Sequence, residues 1–297
     1  MTNLASHSIP LRILGEPVIA AERCRWGFTN VTTLVTLGSG RRVIVQQITS
    51  REHATLLAQL TRDLPILMAD AHVAVPRLLM ADLGSEPPLL VREYMPGETA
   101  NRLLETADGA RSLATQMGTL LVRLSTLQPP AWLDATWAAP DSLAIAAANW
   151  LQVCGDRVSD NHKHALRTMI AALPDDWPRM PARFAHGDFC PVNAIEESGL
   201  VVGLVDLEWA RVATPIFDVA WWGWVVRHHH PERWHDSWQS LLDAAQITTS
   251  PAMERHITAI QCIRCLELIS DACVADRQYP MTMWAERLSE TLQQTRL

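Results

Sequence analysis

The sequence is almost without lysine. Lys163 is the single lysine among 25 basic residues, and the other 24 are arginines. Tyrosine and phenylalanine are also scarce, with 2 and 4 residues, whereas tryptophan occurs 12 times. A function that normally depends on a lysine must therefore use Lys163 or do without one.

Long apolar runs and a secretory N-terminus are missing too. No stretch reaches the length of about 18 apolar residues that a membrane span needs. The first residues lack a basic segment followed by a long apolar one. Six cysteines in 297 residues are too few for a dense disulfide framework. These absences predict no signal peptide, no membrane partner and a cytoplasmic location.

The charge balance excludes a further class of partner. Acidic residues outnumber basic ones, 32 to 25, and the formal net charge is -7. Because binding to a nucleic-acid backbone needs a basic surface, nucleic acid is not expected as a partner. The hydrophobic content of 48% is that of a globular protein with a substantial core. The oligomeric state is left open.

The first third of the chain has the pattern of a small β-rich lobe. Two β-rich runs within residues 31–48 are joined by Gly38-Ser39-Gly40, which predicts a hairpin. Ser50 precedes apolar residues at helical spacing and is predicted as the N-cap of that helix. Two short strands follow, and Pro96-Gly97 marks a boundary. We therefore predict a small N-terminal lobe over residues 1–96 and a second lobe over residues 97–297.

The second lobe is predicted to be mainly helical. Residues 98–180 have a helical pattern with interruptions at Pro129-Pro130, Pro140 and Pro174. A short β-rich insert spans residues 184–206, and helices follow it to the C-terminus. The pattern as a whole predicts the α+β fold class.

Oxygen-bearing side chains occur in two loops of the β-rich insert. Asp188 and Asn193 precede its first long strand, and Asp206 follows its second. Because a hairpin of this length returns the chain, we expect these three side chains to converge. Carboxylate and amide oxygens are ligands that Mg²⁺ takes, with phosphate oxygens completing its shell. A carboxylate near the metal can accept a proton from an attacking hydroxyl.

These residues belong to a longer motif. It consists of His186-Gly187-Asp188-x-x-x-x-Asn193, then Val205-Asp206-x-Glu208, then Pro215-x-x-Asp218-Val219-Ala220. The motif resembles that of the aminoglycoside phosphotransferase and choline kinase superfamily, the small-molecule relatives of the protein kinases. The resemblance implies a protein-kinase-like fold with a small β-rich N-lobe and a larger, mainly helical C-lobe. Residues 1–96 would then be the nucleotide-binding lobe, and residues 97–297 the catalytic and substrate-binding lobe.

The same resemblance implies a role for each motif residue. Asp188 would be the catalytic base or would orient the attacking hydroxyl, and His186 would position its loop. Asn193 and Asp206 would bind Mg²⁺, while Asp218 would brace the catalytic loop. ATP would be the phosphoryl donor.

In the N-terminal lobe the resemblance is looser. Gly27 and Asn30 lie in the segment where kinases place the loop that covers the nucleotide phosphates, although an ordinary hairpin turn fits these residues equally well. Glu52 matches the helical glutamate that pairs with a phosphate-binding lysine or arginine. Backbone groups near Glu93 and Met95 match the hinge that binds the purine.

One position departs from the family pattern. Gln46 stands on the strand that usually offers a lysine or arginine to the phosphates. Glutamine donates hydrogen bonds but brings no charge, and a bond to a neutral group is weaker than one to a charged group. Lys163 lies in the helical half, so either Arg42 or Arg51 reaches the phosphates or Gln46 contacts them while Mg²⁺ neutralises the charge.

Weaker patterns bear on the acceptor. Glu267 and Asp271 lie four residues apart on a late helix, where relatives place acidic substrate-binding residues. Together with the net charge of -7 they favour a cationic acceptor, although a solvated helix face explains each of them as well. Trp224 belongs to a tryptophan-rich segment that fits a cation or sugar site, or packing in the core.

Two further clusters have the residue types of a metal site. Cys262 and Cys265 form a C-x-x-C within an apolar helical pattern and have no second cysteine pair nearby, which favours core packing. His228-His229-His230 is interpreted as a polar loop between helices rather than a metal site.

The sequence thus predicts an ATP-dependent, Mg²⁺-assisted phosphotransferase. It would move the γ-phosphate to a hydroxyl of a small polar or cationic molecule, and an aminoglycoside-like antibiotic is favoured. A metabolic kinase for choline, an amino sugar or homoserine is the first alternative. A non-catalytic nucleotide-binding pseudokinase is the second, because the phosphate strand lacks its basic residue.

Overall fold

The computed structural model describes residues 9–24 and 30–294, which form two compact units. Unit 1 holds the chain as far as Glu98 together with Ile195–Ser198 and Val202–Glu208. Unit 2 holds Thr99–Ala194, Gly199–Val201 and the chain from Trp209 onward. The sequence analysis assigned all of residues 97–297 to the second lobe, whereas two short segments of the β-rich insert belong to unit 1.

Unit 1 contains a six-stranded antiparallel sheet. Its strands are β1 (Arg12–Ile13), β2 (Glu16–Arg23), β3 (Val31–Leu37), β4 (Arg42–Gln47), β5 (Leu78–Asp82) and β6 (Leu89–Glu93). Their order in the sheet is β1-β2-β3-β4-β6-β5, so β4 pairs with β6 rather than with the strand that follows it in sequence. The predicted hairpin with its turn at Gly38-Ser39-Gly40 is confirmed as β3 and β4.

The two faces of this sheet differ in polarity. Val43 and Val45 of β4 and Val91 of β6 are fully buried in one hydrophobic cluster. Because successive side chains point to opposite faces of a strand, Gln46 and Arg92 lie on the other face. Ile44 and Leu90 share this second face, which is called the polar face below because it carries Gln46 and Arg92.

One long helix, α1 (Arg51–Asp70), follows β4. The Ser50 hydroxyl accepts a bond from the backbone N–H of His53 at 3.3 Å, which confirms the predicted N-cap. The helix continues through Pro65 and buries one stripe of side chains that includes Leu64. This stripe is the apolar periodicity that the sequence shows.

Unit 2 is mainly helical, as predicted. Its helices are α2 (Ala107–Ser125), α3 (Pro140–Cys154), α4 (Asp160–Asp176), α5 (Ile216–His229), α6 (Trp234–Ala244), α7 (Pro251–Val274) and α8 (Gln278–Gln294). Pro140 occupies the first position of α3, where proline is favoured because that N–H has no partner in the helix. The predicted interruption at Pro174 is wrong, since α4 continues to Asp176.

The β-rich insert is present as short strands. The remaining strands are β7 (Glu98–Thr99), β8 (Arg183–Ala185), β9 (Ala194–Glu197), β10 (Leu200–Leu204) and β11 (Arg211–Ala213). They form a three-stranded sheet in the order β10-β9-β7 and a two-stranded sheet of β11 and β8. The loop after β8 carries the motif that begins at His186.

Helix α7 runs through the core of unit 2 and supplies residues to two hydrophobic clusters. Cys262 and Cys265 are fully buried there, and burial raises the pKa of the Cys265 thiol to about 12. Both cysteines are packing residues, as the sequence analysis favoured. Among the described helices, none combines the length and apolar character needed to cross a bilayer.

Candidate active site

The loop after β8 begins with a conformation that requires glycine. Gly187 has a φ of +83°, in the left-handed region that side chains disfavour. A Cβ at this position would lie 1.8 Å from the carbonyl oxygen of Trp209. The loop can therefore approach the Trp209 backbone only because residue 187 has no side chain.

Asp218 anchors the same loop from the first turn of α5. Its carboxylate is buried and accepts the backbone N–H of His186 at 2.7 Å and that of Gly187 at 3.0 Å. Burial raises the pKa of Asp218, while His186 and the two backbone donors act in the opposite direction. The Nδ1 atom of His186 accepts the backbone N–H of Asp188 at 3.3 Å. These bonds fix the backbone on both sides of Gly187.

The carboxylate of Asp188 is held at both oxygens. Trp221 Nε1 donates to Oδ1 at 2.7 Å, and Asn193 Nδ2 donates to Oδ2 at 2.7 Å. Asn193 Nδ2 also donates to the Asp188 carbonyl at 3.0 Å. The amide nitrogen of Asn193 is thus committed to Asp188, and its amide oxygen is the atom that can face a cation.

Sequence reasoning missed Trp221 as part of this site. It lies three residues after Asp218 on α5, which places both side chains on one helix face. That spacing is the signal that could have found it. The sequence analysis treated the tryptophans of this segment only as core or acceptor-site residues.

Asp206 lies in unit 1, whereas Asp188 and Asn193 lie in unit 2. The side chain of Asp206 is half-buried, and its φ of +63° is in the left-handed region. Aspartate visits this region more readily than most residues, and such conformations cluster at functional sites. The convergence of Asp206 with the other two side chains stays a prediction.

Gln46 lies in β4 and is almost fully buried, with 6% of its surface exposed. Its Nε2 donates to the Thr32 hydroxyl at 3.5 Å, while its Oε1 has no partner among the described residues. Asn30 Nδ2 donates to Glu208 at 3.4 Å, and its buried Oδ1 likewise lacks a described partner. Unpaired buried acceptors are costly, so this part of unit 1 has unused capacity for hydrogen bonding.

Three further residues were predicted to belong to the nucleotide site: Glu93, Glu52 and Gly27. Glu93 is paired with the Arg77 guanidinium, whose hydrogen bond holds the pKa of Glu93 below its usual value. The backbone N–H of Glu93 donates to the Arg77 carbonyl at 2.9 Å and is already used within the sheet. Glu52 is exposed in the first turn of α1. Gly27 lies outside the described residues.

The hinge prediction for Met95 has one contact that can be specified. Its Sδ and Cε atoms would lie 2.7 Å from a Cβ placed on Gly203 of β10. Glycine at residue 203 therefore leaves space for the Met95 side chain. The contact with a purine stays a prediction.

Glu267, predicted as an acceptor-binding acid, is buried in an ion-pair cluster. Arg211 Nη1 donates to its two oxygens at 3.0 and 3.1 Å, and Arg264 also pairs with it. Burial raises the pKa of Glu267, but the two guanidinium groups outweigh burial and hold it below the usual value. The interpretation as a solvated helix face is wrong for Glu267, because the residue is buried and its carboxylate pairs with two arginines.

Asp271 lies one helical turn after Glu267 on α7 and is half-buried. Burial and the nearby charge of Glu267 raise the pKa of Asp271. The charges of Arg264, Arg211 and Arg277 act in the opposite direction on this pKa. The contact of Asp271 with a cationic acceptor stays a prediction.

Trp224, the remaining acceptor candidate, packs inside unit 2. Its ring stacks on Trp221 at 4.8 Å and on His228 at 4.9 Å, and its Nε1 donates to the Thr291 hydroxyl at 2.9 Å. These contacts support the core interpretation. His228 and His229 lie in the last turn of α5, so the predicted loop is wrong for them. Burial lowers the pKa of His228 to about 4.

Comparison with known proteins identifies the class to which these features belong. The model of the APH phosphotransferase enzyme family matches residues 20–254. The chain belongs to this family and is therefore a phosphotransferase that acts on hydroxyl groups. The predicted family, enzyme class and kinase-like α+β fold are confirmed.

Solved structures agree in fold at low sequence identity. The GDP complex of an aminoglycoside 2′-phosphotransferase is 15% identical, with a TM-score of 0.74 and coverage of 93% of this chain and 92% of that one. A macrolide 2′-phosphotransferase from Brachybacterium faecium is 16% identical, with a TM-score of 0.66 and coverage of 92% and 93%. An aminoglycoside phosphotransferase in a ternary complex with ADP and hygromycin B is 13% identical, with a TM-score of 0.69 and coverage of 93% and 94%. No curated protein sequence matches the chain.

Proposed function

We propose that this phosphotransferase moves the γ-phosphate of ATP to a hydroxyl of a small polar molecule, with Asp188 as the catalytic base. The observation that carries the proposal is the fixed carboxylate of Asp188, which accepts one 2.7 Å bond at each oxygen from Trp221 and Asn193. Each oxygen retains lone pairs for a further bond. A carboxylate fixed in this way can orient an attacking hydroxyl and accept its proton.

The residues present fit a divalent cation. Asn193 offers its amide oxygen, because its nitrogen is used on Asp188, and Asp206 offers a half-buried carboxylate. Oxygen ligands of these two kinds suit Mg²⁺, which would neutralise charge on the phosphates. Within the described residues no three His, Cys, Asp or Glu side chains form a metal cluster. The proposal therefore gives the chain only Asn193 and Asp206 as ligands and leaves the other positions to phosphate and water.

We propose aminoglycosides as the first acceptor class. Support comes from solved relatives of the same fold that bind kanamycin or hygromycin B, and from the half-buried carboxyl group of Asp271 on α7. Macrolides are the second candidate, because Glu267 is matched by two arginines and this favours an acceptor with fewer positive charges. A role in antibiotic resistance follows from either class. The cytoplasmic location predicted from the sequence stays a prediction.

The test is a coupled assay of nucleotide consumption with Mg²⁺ and either ATP or GTP. The acceptor panel contains aminoglycosides, macrolides, choline, amino sugars and homoserine, and products are identified by mass spectrometry. We expect a mass increase of one phosphate on an aminoglycoside, and we expect Asp188→Asn to abolish it.

Other outcomes select the alternatives. Phosphorylation of choline, an amino sugar or homoserine alone would make the protein a metabolic kinase and would overturn the antibiotic assignment. Binding of nucleotide without turnover on any acceptor would favour the non-catalytic alternative that the missing basic residue at Gln46 suggests.

A further inference from the structure

Arg92 lies next to Gln46 although the two residues are far apart in sequence. In the pairing of β4 with β6, Gln46 is opposite Leu90 and Ile44 is opposite Arg92. Gln46 and Arg92 are thus diagonal neighbours on the polar face of the sheet. Side chains in this relation start about 7–8 Å apart, within reach of a long side chain such as arginine.

Two carboxylates of unit 1 act on Arg92. Burial lowers the pKa of Arg92, while the charges of Asp206 and Glu208 raise it. The guanidinium stays protonated at any physiological pH, because its intrinsic affinity for the proton is very high. Arg92 therefore places a permanent positive charge beside Asp206, the residue assigned to Mg²⁺.

Gln46 is not arranged to bind phosphate by itself. Its Nε2 is directed at the Thr32 hydroxyl, and the atom without a described partner is Oε1, an acceptor. Phosphate oxygens are acceptors too, so they require a donor from another residue. A guanidinium can satisfy both groups, since it carries five N–H donors in a planar fork.

The other arginines considered for this role lie elsewhere. Arg42 precedes Gln46 by four residues on β4, about 13 Å along the strand, and its guanidinium packs over the Tyr94 ring at 4.0 Å. Arg51 is exposed at the first residue of α1. Neither is the cross-strand neighbour of Gln46.

We propose that Arg92 binds the phosphates of the nucleotide and replaces the missing lysine of β4 from the neighbouring strand. This inference rests on the proposed function. Without nucleotide, the guanidinium of Arg92 interacts with the charges of Asp206 and Glu208. With nucleotide, its fork would donate to phosphate oxygens, and Mg²⁺ held at Asp206 would offset the charge of that carboxylate. Gln46 then supports the guanidinium through Oε1 rather than contacting phosphate.

The experiment compares binding of ATP and adenosine, because only ATP carries the phosphates. Isothermal titration with Mg²⁺ and no acceptor is applied to wild type, Arg92→Met, Arg92→Lys and the double variant Gln46→Lys/Arg92→Met, with guanosine and GTP as a second pair. Arg12→Met is the matched control, since Arg12 lies in the edge strand β1. Thermal unfolding of each variant accompanies the titrations.

We expect Arg92→Met to weaken ATP binding at least about tenfold, the value of a lost bond to a charged group, and to leave adenosine binding unchanged. Arg92→Lys keeps the charge but loses the fork, so a smaller loss is expected with adenosine again unchanged. The double variant returns a cation to the same face and should recover most of the ATP affinity. Arg12→Met should bind both ligands as wild type does.

Three results would overturn the inference. Equal losses for ATP and adenosine in both Arg92 variants would show a purely structural ion pair. If Arg92→Met bound ATP as tightly as wild type does, groups other than Arg92 would bind the phosphates. Failure of wild type to bind any of the four ligands would overturn the proposed function itself, an outcome distinct from the other two because it appears before any substitution is made.

Discussion

The loop of Asp188 and the polar face of β4 and β6 are organised in opposite ways. In the loop, the carboxylates of Asp188 and Asp218 each accept two hydrogen bonds from within unit 2. In unit 1, the buried oxygens of Gln46 on this face and of Asn30 just before β3 have no partner among the described residues. The carboxylates of the first region are held by the protein itself, whereas the second region has buried acceptors that a ligand can satisfy.

This difference indicates how the work is divided. A base that acts in the transition state gains from an orientation fixed before the substrate arrives. An unsatisfied buried acceptor costs about 1–3 kcal/mol, and that cost is recovered when a donor arrives. We infer that the Asp188 loop is preorganised and that hydrogen bonding on the polar face of β4 and β6 is completed when the nucleotide binds.

The largest effect is expected from Asp188→Asn. The amide keeps the shape of the side chain but cannot accept a proton, so turnover should fall by about 10²–10⁴-fold. The affinity for ATP should stay within about twofold of the wild-type value, because Asp188 is not among the residues proposed to bind the nucleotide. Loss of a hydrogen bond to a charged group would change the affinity by more than twofold. Turnover on the best acceptor and titration with ATP measure the two quantities.

The matched control is Asp160→Asn. Asp160 pairs with Lys163 on the surface of α4, and such exposed pairs contribute little. Turnover of this control should equal that of wild type. If Asp188→Asn kept more than a tenth of wild-type turnover, as judged against the scale for general bases, the assignment of the base would be wrong.

The second effect concerns the support of the Asp188 loop. Arg211 Nε donates to the Trp209 carbonyl, the same atom that Gly187 approaches, and its Nη1 pairs with Glu267. Glu267→Gln removes the carboxylate charge that pairs with the buried guanidinium groups of Arg211 and Arg264. The free energy of unfolding should fall by about 3–5 kcal/mol, as is typical of a broken buried ion pair. Urea unfolding measures this change.

A pH series and a surface pair sharpen this second test. Because the folded-state pKa of Glu267 is below its usual value, its contribution is present above about pH 4.3 and is lost as the pH falls through the folded pKa. The stability gap between wild type and Glu267→Gln should therefore narrow in acid. Asp108→Asn breaks an exposed pair with Arg111 and should cost at most about 1 kcal/mol. If the two variants lost equal free energy of unfolding, the buried pair would contribute no more to stability than the exposed one.

Local patterns made much of the fold and part of the site predictable. The hairpin turn and the Ser50 cap depend on spacings that the sequence displays directly. The bracing of the loop by Asp218 followed from the resemblance of its motif to the family. Pro174 misled the prediction because a proline near a helix end need not stop it when the helix is packed against its unit.

Long-range partners were not predictable from one sequence. Glu267 has the pattern of a helix-face acid until Arg211, 56 residues away, is seen to pair with it. Trp221 is a large apolar residue of the type that fills a core. Its role depends on its Nε1–H group, which the fold directs at Asp188. Arg92 required the register of β4 and β6, which no local pattern specifies.

The third effect is expected from Trp221→Phe. Phenylalanine keeps an aromatic ring in the stack with Trp224 but removes the Nε1 donor to Asp188. A hydrogen bond to a charged group is worth about 1.5–3 kcal/mol, so kcat should fall by at least about tenfold. The KM for ATP should not change. Steady-state kinetics with both substrates varied separate the two constants.

Trp224→Phe is the control for this third prediction. It removes the bond from Trp224 to Thr291 and leaves the Asp188 bonds in place. It should lower the midpoint of thermal unfolding without changing kcat. If both variants lowered kcat alike, Trp221 would act through packing and not through its hydrogen bond.

The smallest effect is expected from Gln46→Lys, which places a second cation on the polar face beside Arg92. The added charge attracts the phosphates, but repulsion from Arg92 offsets part of the gain, so ATP affinity should rise by less than about tenfold. Gln46→Met has a similar length and no charge and should not raise it. Titration with ATP and adenosine distinguishes a phosphate effect from a change in purine binding. Both variants lack the Oε1 atom that supports Arg92, so their difference isolates the added charge. If Gln46→Lys bound ATP no more tightly than Gln46→Met, the phosphates would not lie on this face, and the contrast between the Asp188 loop and this face would lose its physical basis.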